Sequence, residues 1–309
     1  VEKKMAKALV LFSGGLDSQL ACLLLMKEGI EVVPVFFETY FFKADKAKKY
    51  AEAIGLNLRV EDISNDHLEV VHKPPHGYGK HMNPCVDCHL LMIKKAKEIM
   101  EKEGFDFIAT GEVLEERPFS QRAGVFEEME EILGLQGKIV RPLSLKLLPE
   151  TEAEKRGLIN REHMLDIKGE SRKVQLQLAK EFGLEVFETP ASGCILTDPE
   201  YSKRLKTLKK INPNFDGNDA MILRRGRVFF ESNSVIVIGR NELENNELER
   251  LKKPSDILLK PQFPGASLLI RSFNSEVSPE SLIEKAIALI INYSKKAPQN
   301  AKDMIEVIK

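Results

Sequence analysis

The sequence predicts an α/β chain: a doubly wound, mostly parallel sheet followed by a smaller α+β domain. Three observations carry that expectation. An apolar run at residues 8–12 (ALVLF) breaks into two glycines and re-emerges as an amphipathic segment at 19–27, which is strand, turn and helix. A second apolar run at 31–37 (EVVPVFF), helical spacing at 44–54 and a short strand at 58–61 extend this to βαβαβ, the signature of a parallel sheet with helices on both faces. Beyond residue 198 the texture changes to a basic helix and paired alternating runs. With 309 residues the chain is long enough for two domains. The expected boundary lies near 196–200, dividing the chain into 1–196 and 197–309.

The elements follow in order. Lys27-Glu28-Gly29 ends the first helix with glycine in the stop position. Residues 63–84 read as a long polar connection containing Pro74, Pro75, His76, Gly77, Gly79, His81 and Pro84, and a loop of that length inside a compact domain is usually functional. It ends at Asn83-Pro84-Cys85-Val86-Asp87-Cys88-His89, which opens a helix over 90–102. A strand at 106–110 (DFIAT) turns at Gly111-Glu112 into a polar segment, 113–122, that holds Arg117, Ser120 and Gln121. A strand at 138–142, a capped short helix at 151–156, a helix at 171–182 and a last strand at 185–187 complete the first domain, before a small-residue turn from Thr189 to Cys194. The second domain reads as a helix at 200–210, a strand pair within 221–240, a helix at 242–252, strands at 257–260 and 267–272, and a final helix at 279–292. No internal repeat is apparent.

Hydrophobic residues make up 43% of the chain and charged residues 30%, a globular composition. No apolar run reaches the length of a membrane span and nothing at the start reads as a signal peptide, so the expected location is the cytoplasm, with no membrane partner. The net charge of −1 divides unevenly. From residue 196 onward there are 19 Lys+Arg and 15 Asp+Glu, a balance of +4, against −5 for the remainder. A basic C-terminal part suits a bound polyanion, and a lysine-rich solvated surface explains it about as well. On the first reading, Lys203, Arg204, Lys206, Lys209 and Lys210 on the basic helix, with Arg224, Arg225 and Arg227, are the candidate phosphate contacts.

The first strand–turn–helix is the geometry that cradles an anion. Free backbone N–H groups converge at the helix N-terminus, the helix dipole adds positive potential, and glycine lets a phosphate approach closely. Ser13, Gly14, Gly15, Asp17 and Ser18 supply the loop, its hydroxyl donors and a carboxylate suited to holding Mg²⁺ or fixing the turn. The Walker pattern with its lysine is absent. In a doubly wound sheet this loop belongs at the carboxyl ends of the strands, and the loop after Phe37 makes a wall for an adenine.

Of the four cysteines, Cys22 in LACLLLM reads as a packing residue. Cys85 and Cys88 form CxxC at a helix start, where a thiolate is stabilised, and Cys194 lies in the later turn. Three chemistries fit: a zinc site completed by His89 or His81, a redox pair, or three thiolates holding a [4Fe–4S] cluster with one iron open.

Ser13–Ser18, Asn83–Cys88, the strand ending Ala109-Thr110-Gly111 and the later Cys194 occur in one order that resembles the PP-loop ATP pyrophosphatase superfamily. Within it the pattern is similar to the tRNA 2-thiouridylases and 4-thiouridine synthetases. The resemblance covers residue 6 to about 210. It implies ATP and Mg²⁺ as cofactors, bound by Ser13, Gly14, Gly15, Asp17 and Ser18 with Gly111 beneath the nucleotide, and tRNA as substrate. It further implies an ATP-dependent tRNA sulfurtransferase that adenylates a uridine carbonyl and replaces its oxygen with sulfur, drawing on a donor that is sulfide or a persulfide-carrying protein. The usual thiouridylase pair is one cysteine in each motif. The additional Cys85 resembles the cluster-dependent enzymes instead, which makes Cys85, Cys88 and Cys194 the expected ligands of a [4Fe–4S] cluster. A cluster-free persulfide relay, a PP-loop ligase or amidating enzyme with a structural zinc, and a non-catalytic nucleotide-binding module are the alternatives. A homodimer is left open.

Overall fold

The computed structural model describes residues 5–185, 187, 194–273 and 278–309. It divides into two compact units, Val1–Cys194 and Ile195–Lys309. Most of the small-residue turn expected before Cys194, and the middle of the strand expected at 185–187, lie outside the described residues.

The first unit is built on five parallel strands: β1 (Lys7–Leu11), β2 (Glu31–Glu38), β3 (Arg59–Asp62), β4 (Phe107–Thr110) and β5 (Ile139–Val140), in the order β3-β2-β1-β4-β5. Strand order reverses at β1, so the crevice between the ends of β1 and β4 is the switch point where such sheets bind ligands. The alternation along β1 explains why both faces are covered. Ala8, Val10 and Phe12 pack on one face with Cys22 and Leu25 of α1 (Leu16–Lys27) and Ala47 and Ala51 of α2 (Asp45–Ala53). Leu9 packs on the other with Ile93, Ala96 and Met100 of α4 (Cys85–Glu103) and Phe126 and Met129 of α5 (Ala123–Leu133). Cys22 is fully buried and its thiol is pushed far up by burial, as a packing residue should be.

One helix lies where the sequence suggests polar connection, and a second lies where it assigns no element. Residues 63–84 are not one long loop: α3 (Ser64–His72) forms at their start and buries His67, Leu68 and Val71. The segment after β4 is likewise followed by α5, whose Phe126 and Met129 reach the core. A short α6 (Glu152–Lys155) has the expected Thr151 cap, with Glu154 returning the bond. Then α7 (Lys173–Glu181) packs against α1 through Ala179, beside Leu16, Leu20 and Leu24.

The second unit opens with α8 (Pro199–Ile211) and α9 (Gly217–Ile222), followed by β6 (Arg227–Glu231), β7 (Ser234–Ile238), α10 (Glu242–Leu251), β8 (Ile257–Pro261), β9 (Leu268–Ser272), α11 (Pro279–Tyr293) and β10 (Ile305–Ile308). Its antiparallel sheet runs β10-β8-β9-β7-β6. Leu282, Ala286 and Ile290, four residues apart on α11, cover one face against Ile236, Ile238, Leu268 and Ile270. Strand β10 and helix α9 are additions to the sequence reading.

Candidate active site

The turn between β1 and α1 is held by its own polar atoms. Gly15 N–H donates to Ser13 Oγ (3.2 Å), Ser18 Oγ donates to the Gly15 carbonyl (2.9 Å), and Gln19 Nε2 donates to the Gly14 carbonyl (3.0 Å). Gly14 has φ +82°, and a Cβ there would stand 2.8 Å from the Tyr50 ring, so conformation and space both demand glycine. Gly111 is a second such point: a Cβ would fall 2.6 Å from Ser18 N. The end of β4 therefore rests directly on the first turn of α1, which fixes the height of the loop relative to the sheet.

Asp17 lies in that first turn and is answered from 155 residues away. Arg172, immediately before α7, donates from Nη2 to Asp17 Oδ2 (2.7 Å), and its Nε lies 3.3 Å from Glu116 Oε1. Asp17 Oδ1 is buried without a hydrogen-bond partner. Burial, then the charge of Asp17, raise the Glu116 carboxyl above its ordinary range, against the opposing pull of Arg172 and Arg117. Two carboxylates thus share one guanidinium at a helix N-terminus, and one carboxylate oxygen is spare. Neither Arg172 nor Glu116 carries a signal in the sequence, since an ion pair across that separation leaves none.

The cysteines gather beside the start of α4. Cys85 and Cys88 sit one turn apart in its first residues, both half-buried, as is Cys194. Asn83 Nδ2 donates to Cys85 Sγ (3.3 Å), and Cys88 Sγ lies 3.3 Å from Nε2 of His67. Burial, followed by the negative charges of Cys194, Cys85 and Asp87, drives the Cys88 thiol well above its ordinary range, so the three sulfurs are near enough to repel one another when ionised. His67 is itself fully buried between Phe41 and Phe42, and burial lowers its pKa to about 4, so it stands neutral beside the sulfur. His81 N–H bonds Asn83 Oδ1. His76 binds Asp87 through both its backbone N–H (3.0 Å) and Nδ1 (2.6 Å), tying the Pro/Gly loop to CxxC. Among the described residues no three His, Cys, Asp or Glu side chains are arranged around a single metal ion.

His89 and Glu112 join this edge to the end of β4. His89 Nδ1 is 2.9 Å from Glu112 Oε1, and Arg141 Nε donates to Glu112 Oε2 (3.0 Å). Burial works to raise the Glu112 pKa, but Arg141 and His89 outweigh it and hold the carboxyl at about 2. Glu112, Ser120 and Gln121, from the turn and polar segment after β4, are buried in an irregular loop. His89 is committed to this pair.

The basic candidates belong to the second unit. Lys203, Lys206 and Lys210 are exposed on α8. Arg204 donates to the Leu223 carbonyl (3.1 Å) and Arg225 pairs with Glu247 (3.1 Å). Arg227 stacks over the Tyr293 ring at 4.5 Å, while Lys209 and Arg224 are half-buried.

Residues 4–121 match the family model described as "Thiamine biosynthesis protein (ThiI)". A probable tRNA sulfurtransferase of Methanosarcina mazei is 34% identical over 116 residues, covering 35% of this chain and 28% of the relative. The tRNA-specific 2-thiouridylase MnmA 3 of Bacteroides fragilis is 32% identical over 123 residues, 38% of this chain and 34% of the relative. The chain therefore spans about a third or less of the length of these curated relatives. A crystal structure of a 4-thiouridine synthetase–RNA complex with bound ATP aligns over 71% of this chain and 52% of that one, at 20% identity and a TM-score of 0.43.

Proposed function

We propose, from the match of residues 4–121 to that family model and the likeness to tRNA sulfurtransferases and 2-thiouridylases, that the protein is an ATP-dependent tRNA sulfurtransferase. The observation that carries the reading is an anion-cradling loop with a spare carboxylate oxygen in the same unit as three half-buried cysteines, two of them one turn apart at a helix start.

The substrate is a uridine carbonyl, a poor electrophile because oxide is a poor leaving group. Its oxygen attacks the α-phosphorus of ATP and pyrophosphate departs. A sulfide then attacks the same carbon, and AMP leaves with the former carbonyl oxygen, so the sequence is redox-neutral. The loop amides of Gly14 and Gly15, the hydroxyls of Ser13 and Ser18, and the N-terminus of α1 meet the charge that develops on the phosphates. Asp17 would hold Mg²⁺, which would supply charge neutralisation at the phosphates, and Arg172 pairs with that carboxylate. Mg²⁺ needs only one or two protein carboxylates when phosphates complete its shell. Gly111 keeps the floor of the site flat.

The three cysteines suit an iron–sulfur centre: they are soft donors, all three are half-buried, and the histidine beside the helix start is already engaged by Glu112. Cys85, Cys88 and Cys194 would hold a [4Fe–4S] cluster, which when bound supplies a sulfur-carrying iron without a fourth protein ligand. His67 and Asn83 fix the orientation of Cys88 and Cys85 around it. A donor that is sulfide or a persulfide-carrying protein, and a cytoplasmic location, complete the reading.

The test is anaerobic reconstitution followed by thiolation of an unmodified tRNA transcript with sulfide as donor. Cys85→Ala, Cys88→Ala and Cys194→Ala should each lose iron and activity together, with an absorbance shoulder near ~400 nm lost in step, while Cys22→Ser keeps both. Full activity in iron-free protein would replace the cluster with a persulfide relay, in which Cys88 and Cys194 suffice and Cys85→Ala stays active.

A further inference from the structure

The loop from Gly111 to Arg122 is inverted relative to ordinary burial. Its polar members Glu112, Ser120 and Gln121 are buried, at 7%, 4% and 9% exposure, whereas its one aromatic residue, Phe119, is 50% exposed. A mobile loop would leave an aromatic outside by chance, but this one is closed on itself. Glu115 N–H donates to the Gln121 carbonyl (2.6 Å) and Gln121 N–H to the Arg117 carbonyl (2.9 Å). Its root is pinned twice more, by Leu114 N–H to Ser144 Oγ (2.9 Å) and by Gly169 N–H to the Leu114 carbonyl (2.7 Å). The closure holds Glu115 at φ +62°, a left-handed backbone that a residue with a Cβ adopts at a cost. The fold thus holds a strained turn that turns Phe119 outward.

Three residues close to it in the chain bear on what it could bind. Arg117 and Arg122, on either side of Phe119, are both exposed. Glu116, in the same loop, lies 3.3 Å from Arg172, which bonds Asp17 of the nucleotide cradle. An exposed aromatic flanked in the chain by two exposed arginines, in a loop tied to the phosphate loop through one shared arginine, has the chemistry of a base-stacking surface with flanking phosphate contacts.

We propose that the β4–α5 loop presents Phe119 as the stacking platform for an unpaired or extruded pyrimidine of the RNA substrate, with Arg117 and Arg122 holding the adjoining phosphates. This rests on the reading of the protein as a tRNA-modifying enzyme. A uridine carbonyl cannot reach the α-phosphate from within a stacked helix, so its base must leave the stack. A rigid ring beside the nucleotide receives the displaced base and orients its edge toward Asp17's side of the cradle.

The test uses the full chain with two probes, a labelled oligouridylate of eight nucleotides and the same oligomer lacking its bases. Phe119→Ala should weaken oligouridylate binding by about tenfold or more, and raise KM for tRNA, while leaving ATP affinity unchanged. Phe119→Tyr should restore binding, and the abasic oligomer should bind wild type and Phe119→Ala alike. If wild type thiolates tRNA and Phe119→Ala does so equally well, the platform is overturned while the enzymatic reading stands. If wild type neither binds nor thiolates RNA, the enzymatic reading itself fails. If Phe119→Ala binds oligouridylate normally and loses turnover only with a persulfide-carrying protein as donor, the loop is a protein-docking surface and the stacking proposal falls.

Discussion

Each unit sets an arginine among carboxylates, Arg271 buried and Arg172 half-buried, and the two are satisfied to different degrees. In the second unit Arg271 of β9 is 2% exposed and spends all of its donors. Nε and Nη2 go to Asp256 (3.0 and 2.6 Å), Nη1 to Asp219 (2.8 Å) and Asn218 (2.9 Å), and Nη2 also to the Leu251 carbonyl (2.8 Å). In the first unit Arg172 reaches Asp17 and Glu116, yet its Nε makes no hydrogen bond and Asp17 Oδ1 has no donor. A buried polar atom left unmatched is expensive. A fold retains one where another group completes it during function. On the proposed reading the closed network is architecture, and the open one is where phosphates and their cation would bind.

The largest effect that would break this contrast lies at Asp17. Asp17→Ala should reduce tRNA-dependent pyrophosphate release by at least ~100-fold, the scale of losing one preorganised electrostatic group, with far-ultraviolet circular dichroism unchanged. Pyrophosphate release that survives the substitution would make the Arg172–Asp17 pair architecture as well, and would remove the distinction between the two arginines.

At Asp256 the expectation reverses. Asp256→Ala leaves the Arg271 charge uncompensated in the interior, which costs about 3–5 kcal/mol. Urea unfolding of the full chain should show the C-terminal transition at markedly lower denaturant, with ATP affinity unaffected at concentrations where the protein remains folded. An unchanged midpoint would mean that water reaches Arg271 and that its network is not closed.

How far the sequence anticipated each unit follows from the same physics. Strands β1, β2 and β4 were legible because parallel strands buried on both faces are nearly continuous apolar runs, and the loop after β1 was legible because its geometry demands Gly14 and small hydroxyls at fixed spacing. Helix α3 was missed because much of what it buries is His67, counted as polar, alongside Leu68 and Val71. Helix α5 did leave a signal: Val125, Phe126, Met129 and Leu133 recur at helical spacing, but four glutamates between residues 127 and 131 and the preceding polar loop obscured it less than the absence of a cap, since Arg122 makes no side-chain cap bond. Strand β10 escaped as a four-residue edge carrying a charge. CxxC and Cys194 were legible as chemistry. Arg172, Glu116 and the inward turn of Glu112 were not, because they depend on pairings between distant segments.

The smallest expected effect concerns a charge that neither unit buries. Lys203, Lys206 and Lys210 fall at i, i+3 and i+7 of α8 and therefore share one face, and all three are exposed. Their helix turns its other side inward through Tyr201, Leu205 and Leu208, so the lysines add nothing to the core and can be removed without unfolding it. If this face grips tRNA, each lysine that neutralises a duplex phosphate contributes roughly 0.9 to the log–log salt slope of binding. Replacing all three with alanine should flatten that slope by about 2–3 and weaken affinity most at low salt, leaving the unfolding midpoint within about 0.5 kcal/mol of wild type. Arg225, already paired with Glu247 at 3.1 Å, serves as the internal control. Its substitution by lysine should leave the slope nearly where it was, because a cation neutralised within the fold releases few counterions on binding. A slope that responds to Arg225 but not to the three lysines would move the tRNA-binding face from α8 to the turn before β6.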